Sequence, residues 1–173
     1  EARKMIESEI ESLGSSNSIL TAQCHVAKTL LEFLKGNLKA LELESSTVLR
    51  MTDPVKNHGI RIFANYYIAY SNYMKNNLAN IDSYLNESLK AKYRTRPGWV
   101  FHLLYLKCLS LVAEYRDTEL IEFLKEMVDF NSRLVTIDYS NDVSIMKCDI
   151  YLNAGDIANA WKISSHIDFD RPG

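Results

Sequence analysis

At intervals of about forty residues this chain ends one helix and starts another with almost nothing between them. In "IYLNAGDIANAWKIS" (150–164) the separators are Gly155 and Asp156. In "EFLKGNLKALELES" (32–45) they are Gly36 and Asn37, and in "SNYMKNNLANIDSYLNESL" (71–89) they are Asn76 and Asn77. Placing Gly36, Asn76, Arg116 and Gly155 in register gives steps of 40, 40 and 39 residues. Apolar columns then line up: Leu41, Ile81, Ile121 and Ala160 five places on, and Phe33, Tyr73, Ala113 and Leu152 three places before. Two places on stand Leu38, Leu78, Thr118 and Ile157, so Thr118 and Ala113 mark the third unit as the most worn. A repeat of this length is one supersecondary unit that cannot bury its apolar stripe alone and must stack on its neighbours.

Each unit reads as two helices. Apolar residues recur every three to four positions before the hairpins (Val26, Leu30, Leu31, Leu34; Ile60, Phe63, Tyr67, Met74). They recur in the same way after them (Leu38, Leu41, Val48; Leu78, Ile81, Leu85, Leu89; Leu120, Leu124, Met127, Val128). Gly and Asn at the hairpin tolerate the left-handed backbone that ends a helix. Asn37, Asn77, Asp117 and Asp156 are placed to accept from the next helix's free amides. Asp53-Pro54 and Arg96-Pro97 close one unit and open the next, since the residue before proline avoids the helical region and proline suits a first helical turn. "EARKMIESEIESL" at 1–13 fits the second helix of an earlier unit, and with "DRPG" at the other end the chain reads as a piece of a longer protein.

Composition narrows the chemistry. With 47% hydrophobic residues, the chain has ample material for a core, and a net charge of -2 supplies no general field for nucleic acid or an anionic membrane. Lys90, Lys92, Arg94 and Arg96 gather before Pro97, a cluster that complements a helix dipole more readily than it binds phosphate. Cys24, Cys108 and Cys148 are widely spaced, with no CxxC and no Cys/His ligand pair. They read as free thiols of a reducing cytosol rather than as a metal or disulfide framework. Cys108 lies among leucines, which raise a thiol's pKa. His25, His58, His102 and His166 are scattered over different units, without an HExxH or a partner for a nucleophile. Glu42, Glu44, Glu122 and Glu126 read as solvated helix charges. No catalytic residue, metal ligand or cofactor site is read, and the chain is expected not to be an enzyme.

Helix pairs joined by Gly-Asp or Gly-Asn hairpins and closed by Asp-Pro resemble the tetratricopeptide repeat, although the period exceeds that repeat's usual length. The expected fold is all-α: a right-handed α-α superhelix of about four helix pairs plus an N-terminal helix. The segments are 1–14, 18–53, 54–94, 97–134 and 140–170, with the first helix of each pair lining a concave groove. The longer period, with Gly155, Asp156, Ala160, Trp161 and the "DFDRP" exit at 168–172, resembles the repeat region of the large LuxR-type, ATP-dependent bacterial transcription regulators. That resemblance implies a cytoplasmic sensor module whose effector acts on flanking NTPase and DNA-binding modules. No GxxxxGK[ST] loop and no basic recognition helix is present, so this part is expected to bind neither ATP nor nucleic acid.

The least ordinary local feature is "FANYYIAYSNYMK" (63–75). Tyr66, Tyr70 and Tyr73 recur at i, i+4 and i+7, which puts three phenols on one helical face. By the repeat register that face points into the groove, with Trp99, His102 and Tyr105 on the next groove helix and Gln23 and His25 on the preceding one. Phe63, Tyr67, Ala69 and Met74 are left to pack. Phenols offer flat apolar area with a polar tip, suited to a small-molecule effector or a peptide, and Gln23, Asn65 and Asn72 can orient it by hydrogen bonds. The same spacing is also what a plain core stripe displays. A protein-binding adaptor and a structural spacer are the rival functions.

Overall fold

A computed structural model describes residues 1–13, 18–135 and 137–168, and within them every regular element is helical. In chain order these are α1 (Ala2–Leu13), α2 (Ser18–Leu34), α3 (Leu38–Met51), α4 (His58–Met74), α5 (Ile81–Leu89), α6 (Pro97–Ala113), α7 (Asp117–Ser132), α8 (Ser140–Asn153) and α9 (Ile157–Ser164). Short 3-10 turns lie at Leu78–Asn80 and Lys92–Arg94. Of the "DFDRP" exit only Asp168 lies among the described residues.

Four hairpins share one backbone geometry. Gly36, Asn76, Tyr115 and Gly155 take positive φ (69°, 56°, 57° and 74°). In each, the following amide donates to the carbonyl five residues back, at 2.9 Å (Asn37 to Glu32), 2.9 Å (Asn77 to Asn72), 2.9 Å (Arg116 to Leu111) and 2.8 Å (Asp156 to Tyr151). This is the Schellman closure, which satisfies carbonyls left over at a helix end.

The third hairpin corrects the register read from the sequence. Tyr115, not Arg116, takes the left-handed position, and the steps become 40, 39 and 40. The fifth-place column then reads Leu41, Ile81, Leu120 and Ala160, exposed by 0%, 0%, 6% and 2%, whereas Ile121 is 53% exposed. Asp117 is the first residue of α7 rather than its cap. Arg116 holds the cap position without a side-chain capping bond to the helix amides, and its guanidinium is gripped by Glu114 and by both oxygens of Glu119. Acidic Asp117 and Glu119 in the first turn complement the dipole instead. Of the other expected caps, Asn37 accepts from Ala40 N–H and Asp156 from Asn159 N–H. Asn77 turns back to donate to Asn72 Oδ1.

The described residues divide into two compact units, one up to residue 100 and one from residue 101 on, and the boundary falls within α6. In the first, each of α1 to α4 packs on the next helix, and α2 also touches α4. Its core is Leu41, Val48, Ile62, Ala64, Tyr67, Ile68, Ala69, Ile81 and Leu85. The inward face of α2 differs from the expected stripe. Thr21, Ala22, Thr29 and Glu32 are buried, whereas Leu30 and Leu34 are exposed. In the second unit α7 packs on α8 and α8 on α9. Phe101 meets the rings of Phe130 and Tyr139 at 5.4 and 5.0 Å, over Leu124, Met127, Val143 and Ile150. Burial pushes the Cys108 thiol up to about 12, and the Glu126 charge adds to the shift, as its leucine-rich surroundings predict.

Candidate functional site

Tyr66 and Tyr70 stand one turn apart on α4 with their rings stacked, 6.3 Å between centroids and 27° between planes. They belong to a larger aromatic cluster. Phe33 of α2 meets Tyr70 at 5.2 Å and Tyr67 at 5.1 Å. Trp99, in the first turn of α6 and still within the first unit, meets Tyr66 at 5.7 Å, Phe63 at 5.0 Å and Tyr67 at 6.3 Å. Edge-to-face contacts predominate, which is the arrangement ring quadrupoles favour.

Burial grades across the cluster. Tyr67 is buried at its centre, while Tyr66, Tyr70, Phe33, Phe63 and Trp99 are half-buried. Desolvation raises the phenol pKa of Tyr66 strongly and that of Tyr67 to about 12, with neighbouring phenols adding to both. Both phenols stay neutral at ordinary pH and present flat apolar surface.

No family model matches the chain, and no curated protein or solved structure matches it either.

The remaining residues expected at the site fall elsewhere or play other parts. Gln23 is exposed in a cleft of about 410 Å³ between α1 and α2, lined by Met5, Ile6, Leu13, Leu20 and Cys24. It stands ten residues before Phe33 on α2, about 15 Å along the axis. Tyr73 lies in the last turn of α4, three residues before the left-handed Asn76. His102 belongs to the second unit and is exposed. Asn72 is spent on the second hairpin: its Nδ2 donates to Ile68 O and its Oδ1 accepts from Asn77 Nδ2. Asn65 is buried against Ser88 rather than turned to the phenols. Met74, expected to pack, is 53% exposed.

Two groups escaped the sequence reading. Glu44, taken there for a solvated charge, is buried and bound by His25 and Lys28 of α2. Glu32 is buried too and accepts from Lys35 Nζ at 3.0 Å and Asn37 Nδ2 at 2.9 Å. These bonds, the Lys35 one foremost, hold its pKa below the usual carboxylate value. Both partnerships cross between helices or a hairpin, and Glu44 stands 19 residues from His25, beyond any local motif. Among the described residues no group of three His, Cys, Asp or Glu is placed to hold a metal, and no helix is long and apolar enough to cross a membrane.

Proposed function

We propose that this chain is a ligand-sensing helical-repeat module that works by binding, with the Tyr66–Tyr70–Trp99 face as its contact surface. The observation that carries the reading is the recurrence of one hairpin geometry at Gly36, Asn76, Tyr115 and Gly155, each with a buried residue five places on, Leu41, Ile81, Leu120 and Ala160. Repetition of this kind is how stacked helix pairs share a core and leave a long surface for a ligand. The fold proposed for the whole is a right-handed α-α superhelix of tetratricopeptide type.

Within that reading we assign the module to a cytoplasmic LuxR-type transcription regulator, on the likeness of Gly155, Asp156, Ala160 and Trp161 to that family's repeats. An effector in the groove favours one of two curvatures, and the flanking NTPase and DNA-binding modules respond to the difference. The coupling equals the effector's differential affinity for the two states.

The test is a thermal-shift screen of the chain against small sugars and aromatic acids, with hits repeated on Tyr66→Phe and Tyr70→Phe. Loss of a hit's shift with unchanged unliganded melting supports the binding face. Hits indifferent to both substitutions, or none at all, refute it. For the regulator assignment, a hit must change the ATP-dependent oligomerisation of the full-length protein. The adaptor reading has one observation in its favour: Leu30 and Leu34 form an exposed apolar pair at helical spacing on α2, as a partner helix would require.

A further inference from the structure

A cavity of about 260 Å³ opens on α4, α5 and the 3-10 turn at Lys92–Arg94, with His58, Arg61, Asn65, Ser88, Lys90 and Arg94 among its lining residues. All belong to the first unit. His58, Arg61 and Asn65 follow one another on α4 at three and four residues, roughly 140° round the helix from Tyr66 and Tyr70, so this is a different site from the aromatic face.

Its charge is one-sided. Arg61, Lys90 and Arg94 face a single carboxylate, Glu87, which leaves 3 − 1 = +2 with His58 neutral. Two residues that line it each carry a buried polar atom with no partner in the protein: Arg61 Nε, a donor, and Asn65 Oδ1, an acceptor. The rest of each group is engaged. Arg61 Nη1 donates to Leu49 O at 2.8 Å and Thr52 O at 3.0 Å, and its Nη2 meets Glu87 at 3.3 Å. Asn65 Nδ2 donates to Ser88 Oγ at 3.1 Å, and Asn65 is only 1% exposed. Turning the amide over exchanges one orphan for another, since the Ser88 hydroxyl serves one of its atoms at a time. Both atoms are closed to solvent, so an occupant of the cavity meets them only when the side chains that cover them shift on entry.

The requirements are specific. The cations and Arg61 Nε ask for an oxyanion, and Asn65 Oδ1 asks for a hydroxyl donor. A phosphate monoester carries about −1.5 to −2 at neutral pH, close to the excess on the walls, whereas a carboxylate offers half of it. Pro54, Ile62 and Ala91 add apolar contact, and the small volume limits the organic part to a few carbons. We propose that this cavity binds a small hydroxylated phosphate monoester, a polyol or sugar phosphate. Its phosphate lies against Lys90, Arg94 and Arg61, and a hydroxyl reaches Asn65. This site stands independently of the sensing role given to the aromatic face.

Calorimetric titration of the chain with glycerol 3-phosphate and ribose 5-phosphate tests it, with methyl phosphate, inorganic phosphate and glycerol as comparators. At least one of the two hydroxylated esters binds, methyl phosphate and inorganic phosphate bind about tenfold more weakly, and glycerol does not bind. The double variant Lys90→Gln, Arg94→Gln changes two exposed side chains, keeps the melting temperature, and loses about tenfold in affinity. No heat from either ester up to ~10 mM overturns the proposal. Equal binding of methyl or inorganic phosphate, or affinity that survives the double variant, overturns it as well.

Discussion

His25 Nδ1 lies 2.6 Å from Glu44 Oε2, and Lys28 Nζ lies 2.7 Å from the other oxygen of the same carboxylate. One acid of α3 thus ties two bases of α2 in a largely buried seam. Removing a shared partner strands charges that water cannot fully reach, so Glu44→Ala is expected to cost about 3 kcal/mol. Glu42, on the same helix, pairs with Lys75 at a solvated surface, and Glu42→Ala should cost less than about 1 kcal/mol. Urea unfolding of the two variants measures the contrast; equal losses would show that the seam carries no special weight.

Tyr115 holds φ 57° with its side chain 90% exposed, so the ring gains little to offset a backbone disfavoured for L-residues. Tyr115→Gly is expected to stabilise the protein by up to about 1 kcal/mol, after allowing for glycine's greater freedom when unfolded. Gly36→Ala and Gly155→Ala should destabilise it by a similar amount, although a Cβ meets nothing within 4 Å at either position. Thermal melts of the three variants decide between conformational and packing control of the hairpins.

Asp53 Oδ1 accepts from Lys56 N–H at 2.9 Å and Val55 N–H at 2.8 Å, and these bonds hold its pKa below the usual aspartate value. A carboxylate depressed in the folded state adds stability above the unfolded pKa of about 3.9, and that stability is lost as pH falls through the folded value. Melting temperature should therefore fall more steeply with acid in the wild type than in Asp53→Ala. Amide exchange at Val55 and Lys56 should quicken over the same range.

Tyr66 and Tyr67 carry raised pKa values, so the sign reverses for them. Their contribution is complete below the unfolded tyrosine value of about 10 and is lost as pH rises towards the folded values. Spectrophotometric titration of the native protein should show Tyr66 and Tyr67 among the last of its ten tyrosines to ionise. Replacing both with Phe should shrink that late step by two phenols; an unchanged step would assign it to other residues.

The hairpins were legible wherever Gly or Asn marked them, because those residues tolerate the left-handed turn. The third slipped by one place since neither Tyr115 nor Arg116 carries such a mark. The common face of Tyr66 and Tyr70 followed from helical spacing alone. Which groups meet across helices did not: Leu30 and Leu34 read as core, yet the inward face of α2 is set by Glu44 on the neighbouring helix. Lys90 and Arg94 likewise read as helix-end charges, and only the fold brings His58 and Arg61, some thirty residues earlier, to the same cavity.

The two tryptophans fall one to each unit: Trp99 within the aromatic cluster, Trp161 80% exposed on α9. The molecule therefore carries its own pair of optical reporters. Under tryptophan-selective excitation, acrylamide quenches Trp161 first, and the emission that survives belongs to Trp99. Denaturation of the two halves can then be followed separately, without any label.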